Sequence, residues 1–201
     1  MGSVLKVTTD GFETSPILRG AWVSKNIAGT PISPPPESVK AIEPDHEKSA
    51  ATIREQIEQH KNSPACYACH KSIDPYGFAL ESFDAVGQWR DRYRIETPHR
   101  NTFQFRLEGY FREVGDIDSS GEIDDRRFHN IFGLKQLLLS NQRTIGYNFA
   151  KKFFQFTNGY TPNLKQRLAL LAMLDENPDK CRMKDIVTDV LVYSSREMSH
   201  E

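Results

Sequence analysis

Hydrophobic residues recur at helical spacing through the second half of the chain. Residues three or four apart share one face of a helix, and Asn158-Gly159 is a typical helix stop. The pattern predicts four amphipathic helices packed as a small antiparallel bundle. Their apolar stripes run from Phe132 to Leu139, Ile145 to Phe156, Leu164 to Leu174 and Ile186 to Tyr193.

In the first half, short apolar runs alternate with helix breakers. Val4–Thr9 is β-prone and predicts a short strand, while Ser15 and Pro16 favour the start of a helix capped by Ser15. The three prolines at 34–36 predict a stiff connector. Residues 46–62 predict a helix whose inward stripe contains Ile53, Ile57 and His60 and whose outer face contains Arg54, Glu55, Glu58 and Gln59.

Two prolines bracket the segment that comes next. Pro64 suits the first turn of a helix, and Pro75 removes a backbone donor, so we predict a short helix that ends by Asp74. A second helical turn is expected over 78–87. A dense apolar cluster accompanies it: Phe78, Leu80, Phe83, Val86 and Trp89. Residues 90–128 are the least regular, although Thr102–Leu107 alternates as a strand does.

These elements predict a mainly α fold with a little β structure, long irregular loops and a C-terminal helical bundle. We divide the chain into an extended N-terminal arm with a proline-rich connector (1–45), a central domain (46–140) and a helical subdomain (141–201).

The chain has 201 residues, of which 38% are hydrophobic, enough for a core. Its net charge of −1 gives no reason to expect nucleic acid, and no apolar run is long enough to span a membrane.

The segment Cys66-Tyr67-Ala68-Cys69-His70 has the C-x-x-C-H spacing that is typical of covalent haem attachment. Residues three and four apart share a face of one helical turn, so Cys66 and Cys69 can reach the two vinyl groups of one porphyrin. His70 is then placed beneath the iron. We therefore predict one covalent haem c per chain, with His70 as its proximal axial ligand.

The residues after the motif predict the surroundings of the haem. Phe78, Phe83 and Trp89 belong to the apolar cluster, which we expect to exclude water from one haem face. Arg90 is the candidate partner of a haem propionate, because a partly buried carboxylate needs a cation or a donor. Other cations lie nearby in the sequence: Arg54, Lys71 and Arg92.

The sixth ligand of the iron is left open. His60 is the leading candidate metal ligand, with a hydrogen bond to a propionate or a carbonyl as the alternative role. Met173 and Met183 lie at core-like helix positions, where ordinary packing is the simpler interpretation. The remaining candidates by chemistry are Met198, His99, His129 and His200.

Two other interpretations of the motif stay open. An empty sixth position would make the site a five-coordinate haem sensor or a peroxidase-like site. Alternatively, Cys66, Cys69 and His70, with Cys181, form a structural zinc module, although adjacent Cys69 and His70 fit a tetrahedron poorly. Cys181 is otherwise interpreted as a small buried core residue.

The motif and its flanks resemble a known family: the C-terminal cytochrome-c-like region of Planctomycete-type multidomain secreted cytochrome proteins, built from domains of unknown function. The resemblance is specific over residues 3–90 and extends to about 140. Its best-matching stretches are Thr52–His60, Pro64–His70, Ile73–Pro75 and Gly77–Arg90. It implies export, covalent haem and electron transfer, and it names no substrate.

We therefore expect a monohaem c-type cytochrome domain that carries electrons, rather than a catalyst on its own. Its partners would be a redox protein or neighbouring domains of a parent polypeptide. Haem c is attached after export, so the expected location is the periplasm or another exported compartment. The residues after Met1 lack the pattern of a signal peptide, so we interpret the chain as a piece of a larger exported protein.

Overall fold

The computed structural model describes residues 2–9, 14–33, 52–61, 64–96, 111–176 and 182–198. Helices dominate these residues, which confirms the mainly α fold class. The helices are α1 Gly2–Val7, α2 Pro16–Val23, α3 Ile53–His60, α4 Pro64–Phe78, α5 Ile131–Ser140, α6 Gln142–Asn158, α7 Leu164–Glu176 and α8 Met183–Met198. The strands are β1 Arg92–Glu96, β2 Phe111–Asp116, β3 Gly121–Ile123 and β4 Arg126–Phe128. No described helix is both long and apolar enough to cross a membrane.

Backbone contacts divide the chain into two compact units. The first comprises Met1–Ser24 and Pro31–Leu134, and the second comprises Lys25–Thr30 and Lys135–Glu201. The C-x-x-C-H motif lies in the first unit, and helices α6, α7 and α8 lie in the second. The three-part division predicted from the sequence stays a prediction.

In the first unit, α2 and α4 cross with their backbones in contact. A side chain on Gly20 would collide with the carbonyl oxygen of Ile73, and one on Gly77 would collide with the carbonyl oxygen of Pro16. Only glycine permits so close an approach of two backbones. The crossing therefore fixes the position of α4 against α2.

The predicted start of α2 is confirmed. Ser15 caps the helix, and its hydroxyl accepts a hydrogen bond from the Leu18 amide at 3.2 Å, with Pro16 in the first turn. The predicted strand at Val4–Thr9 is wrong, because α1 is a helix. Its end is closed by the hydroxyl of Thr8, which donates to the Val4 carbonyl at 2.7 Å.

The expectation that α4 ends by Asp74 is also wrong, since the helix continues through Pro75 to Phe78. The proline ring removes one backbone hydrogen bond from the helix. Tyr76 and Phe78, which follow it, are almost fully buried, and burying two large aromatic side chains outweighs that loss.

A cluster of buried charges holds the segment that follows α4. The carboxylate of Glu81 is fully buried, accepts hydrogen bonds from Thr14 at 2.7 Å and Arg90 at 3.1 Å, and lies 3.5 Å from Arg19. Arg19 is also fully buried and donates to three backbone carbonyls of residues 80–84. Burial lowers the pKa of the Arg19 guanidinium, and the charge of Glu81 opposes this. The cluster ties α2 and residues 80–90 together.

Past this cluster the chain reverses in a tight loop. The Asp84 carboxylate accepts hydrogen bonds from the amides of Val86 at 3.0 Å and Gln88 at 2.8 Å, and Gly87 adopts a φ of +88°. The reversal leaves Val86 66% and Trp89 51% exposed. It is a loop rather than the helical turn predicted over 78–87.

The strands form two antiparallel pairs. β1 pairs with β2 from Arg92↔Asp116 to Glu96↔Phe111, and β3 pairs with β4 as a short hairpin. β3 packs on α4, where Gly121 lies against the rings of Phe128 and Pro75. The strand predicted at Thr102–Leu107 lies outside the described residues.

All four helices predicted from the apolar stripes are present, but only α6, α7 and α8 contribute to the described core of the second unit, so the predicted four-helix bundle is wrong in this respect. Its core consists of buried residues from α6, α7 and α8: Ala150, Phe154, Leu170, Leu174, Ile186 and Val190. Asn148 donates a 2.8 Å hydrogen bond to the carbonyl of Asn26, which lies in a π-helical turn, Ser24–Ala28. Gly159 ends α6 in the left-handed conformation, as its sequence predicts.

Candidate functional site

Helix α4 carries the motif residues on its first two turns. Cys66 and Cys69 are both half-buried, and neither forms a disulfide. His70 follows on the same helix with its side chain 11% exposed. The helix begins at Pro64, as predicted, so the i, i+3, i+4 spacing of the three residues is realised on regular helical geometry.

The imidazole of His70 is held by a carboxylate one turn later. Its Nδ1 lies 2.8 Å from Oδ1 of Asp74, whose side chain is only 2% exposed. The second oxygen of Asp74 is buried without a hydrogen bond and lies 3.6 Å from the ammonium of Lys61. Because Asp74 occupies Nδ1, a metal can be ligated only through Nε2.

A cavity of about 500 Å³ adjoins His70. This volume lies in the range of cofactor and small-ligand sites. His70, Asp74 and Phe78, spaced four residues apart on α4, line it with Pro75 and Phe128. This part of the wall therefore combines an imidazole and a carboxylate with aromatic surface.

Cations also line the cavity: Arg54, Lys61, Lys71 and Arg127. The guanidinium of Arg54 lies 4.2 Å from the centre of the Phe78 ring and donates to the carbonyls of Asp118 and Ser120 at 2.8 and 2.9 Å. The prediction that Arg54 faces outward is therefore wrong, because it bridges α3 to the loop before β3. Arg54 and Lys71 are the two of these cations that were named from the sequence as near the motif. The carboxylates of Glu58 and Glu122 also border the cavity.

The structure does not bring all the predicted site residues to this cavity. Neither Cys66 nor Cys69 is among its described lining residues. Phe78 lines it, whereas Phe83, Trp89 and Arg90 are not among those residues. Phe83 and Trp89 pack edge to face with their ring centres 5.4 Å apart. Arg90 donates to the carboxylate and the backbone carbonyl of Glu81. The roles of these three residues toward a haem stay predictions.

Of the candidate sixth ligands of the iron, some lie in the described part of the structure and others do not. His129 is exposed and lines the cavity, and none of the described lining residues is a methionine. Met173 packs against the core of the second unit, as predicted, whereas Met183 is 67% exposed, so its predicted packing is wrong. The side chains of His60, Met198, His99, His200 and Cys181 lie outside the described residues. His60 therefore stays a prediction.

Sequence reasoning missed Asp74, Lys61 and most of the cavity-lining residues between 120 and 129, of which it named only His129 as a candidate ligand. Asp74 had a readable signal, because it stands four residues after His70 and so shares its helical face. No local sequence pattern indicates the position of Lys61 or of the lining residues between 120 and 129, since they reach the cavity only through tertiary contacts. In the described part of the chain, no three His, Cys, Asp or Glu side chains come together as a metal-binding group.

Comparison with known proteins gives one family match. The model of the family PSCyt3, described as a protein of unknown function (DUF1588), matches residues 1–93. The matched stretch includes α1 to α4, and thus the cysteines, His70 and Asp74. No curated protein matches the chain, and no solved structure does.

Proposed function

We propose that the chain is a monohaem c-type cytochrome domain, in which Cys66 and Cys69 bind one haem covalently and His70 ligates its iron. The observation that carries this proposal is the placement of the three residues on one helix, α4, with His70 lining the cavity and oriented by Asp74. A bound haem supplies an iron centre that accepts and releases one electron. The chain would pass that electron to a redox protein or to neighbouring domains.

The donor set fits covalent haem. Both thiols are free of disulfides, as thioether formation requires, and they stand three residues apart on one helix. Nδ1 of His70 is engaged by Asp74, which selects Nε2 as the ligating atom. A haem also needs an apolar wall and cations for its propionates. The aromatic rings of Phe78 and Phe128 and the cations around the cavity have the required chemistry.

Electron transfer is favoured over chemistry at an open iron position by one feature of the cavity. His129 lines the same cavity as His70 and is the candidate for a second nitrogen ligand within the described part of the first unit. The alternative, a five-coordinate sensor or peroxidase-like site, predicts a high-spin spectrum that changes when cyanide or carbon monoxide is added. A low-spin spectrum insensitive to both supports the electron-transfer function.

Covalent haem c implies maturation outside the cytoplasm. We therefore propose that the chain works in the periplasm or another exported compartment. The substrate of any parent polypeptide is not part of this proposal.

The proposal is tested by exporting the chain with a cytochrome c maturation system. The purified protein should be red, keep its haem through denaturing electrophoresis, and exceed the sequence mass by one haem. The double variant Cys66→Ala/Cys69→Ala should lose covalent haem, while Cys181→Ala, which alters the cysteine outside the motif, should keep it. A colourless protein carrying one zinc per chain would overturn the proposal and favour the zinc module.

A further inference from the structure

The carboxylate of Asp74 is placed unusually for an acidic residue. Its side chain is 2% exposed, and Tyr76 and Phe78, which follow on the same helix, are also buried. Burial of a charged group is costly unless a specific partner compensates it. One oxygen meets Nδ1 of His70 at 2.8 Å, and the other has no hydrogen bond. The hydrogen bond that the structure gives the Asp74 carboxylate is therefore the one to the imidazole.

The geometry fixes the proton and the ligating atom of His70. A neutral imidazole that ligates a metal through Nε2 carries its proton on Nδ1, where it can only donate. Oδ1 of Asp74 lies 2.8 Å from Nδ1 and can accept this proton in a hydrogen bond. A carboxylate in this position makes the ligand more basic and holds the ring in one orientation. Greater electron donation by an axial ligand stabilises the oxidised iron.

The nearby cation moderates this effect. The ammonium of Lys61 lies 3.6 Å from the second oxygen of Asp74 and 2.8 Å from the carboxylate of Glu58. Lys61 is thus shared between two carboxylates and cannot fully neutralise Asp74. Part of the negative charge of Asp74 therefore remains directed at His70.

We propose that Asp74 is a positioning residue that sets the redox behaviour of the site: its buried carboxylate orients His70 through Nδ1 and lowers the reduction potential of the iron. This inference rests on the proposed function and adds to it the direction in which the protein tunes the potential. It is carried by the His70–Asp74 contact within α4.

The test is a spectroelectrochemical titration of the matured protein and of variants. Asp74→Asn keeps the shape of the side chain and a carbonyl that accepts from Nδ1, but removes the charge. We expect its midpoint potential to rise. The matched control is Glu122→Gln, which also removes a carboxylate from the cavity wall. The carboxylate of Glu122 pairs with Arg127 at 2.8 Å and not with His70. Its upward shift should be clearly smaller.

A second pair of variants keeps the test decisive if Asp74→Asn fails to mature. Removing the cation beside Asp74 with Lys61→Gln should lower the potential, because the carboxylate is then less neutralised. Lys71→Gln removes an exposed cation from the same cavity wall and should lower it less. The inference would be overturned if the midpoint potential shifted equally in Asp74→Asn and Glu122→Gln, and equally in Lys61→Gln and Lys71→Gln.

The two proposals fail in distinguishable ways. If the unaltered chain binds no covalent haem, the proposed function itself fails. If the haem is attached and the potential of Asp74→Asn equals that of Glu122→Gln, the cytochrome assignment stands and only the role of Asp74 is refuted.

Discussion

The buried carboxylate of Glu81 gives the sharpest stability prediction. Glu81→Gln keeps the shape of the side chain and one carbonyl acceptor but removes the negative charge between Arg19 and Arg90. Arg19 is fully buried and Arg90 is 8% exposed, so water cannot solvate either guanidinium in place of the lost carboxylate charge. The substitution therefore leaves two neighbouring cations inside the first unit.

The magnitude follows from the distances. At 3.1 and 3.5 Å, with an effective dielectric constant of about 20, each charge pair attracts by about 5 kcal/mol. Desolvation of the ions offsets much of this in the native protein, and breaking a buried pair from one side costs about 3–5 kcal/mol net. We expect Glu81→Gln to lower the free energy of unfolding by that amount.

The assay can isolate the unit that contains Glu81. The chain has two tryptophans, Trp22 and Trp89, and both belong to the first unit. Urea unfolding followed by tryptophan fluorescence therefore reports that unit, while circular dichroism reports all helices. The control is Glu113→Gln, because Glu113 is 51% exposed and pairs with Arg92 at 3.6 Å. Exposed pairs contribute about 0–1 kcal/mol.

The reasoning would be refuted by a small difference between these two variants. If the fluorescence transition of Glu81→Gln lies within about 1 kcal/mol of that of Glu113→Gln, the buried charges contribute no more than surface ones. If the loss of unfolding free energy is intermediate and the slope of that free energy against urea concentration also changes, the native state of the variant is partly opened. Circular dichroism at zero urea would reveal such a state.

Two further predictions use the same measurements. Gly77→Ala forces a methyl group against the Pro16 carbonyl and should lower the fluorescence transition of the first unit by about 1–3 kcal/mol, whereas Gly2→Ala, which meets no atom within 4 Å, should not. Phe154→Ala removes a fully buried ring from the core of the second unit and should lower the free energy of unfolding, followed by circular dichroism, by about 3–5 kcal/mol. Phe156 lies on the same helix but is 83% exposed, so Phe156→Ala should lower it little. Equal losses in the two variants would contradict the assignment of the core.

The parts of the fold that follow local rules were predictable from the sequence. Ser15 and Pro16 start α2, Pro64 starts α4, and the apolar stripes give α6, α7 and α8 because their periodicity is the condition for packing a helix on a core. The spacing of the motif likewise predicts that its cysteines and histidine share one helical face. These signals lie within one or two turns of the residues that they place.

Features that depend on tertiary contacts were not predictable. Glu81 and Arg19 are charged, and such residues are ordinarily found at the surface, yet both are fully buried because each compensates the other. The residues 120–129 that line the cavity stand about fifty positions after the motif. Nothing in their local pattern indicates that β3 packs on α4.

The continuation of α4 past Pro75 is the wrongly predicted feature with the greatest consequence for the site. A helix ending at Asp74 would leave Phe78 off the face that carries His70, and the cavity would lose an aromatic wall. The structure instead uses both faces of one continuous helix. One face presents His70, Asp74 and Phe78 to the cavity, while Gly77 and the Ile73 carbonyl contact α2. Contacts on the α2 side thus hold in place the segment that orients His70, so a defect at Gly77 should disturb the site as well as the fold.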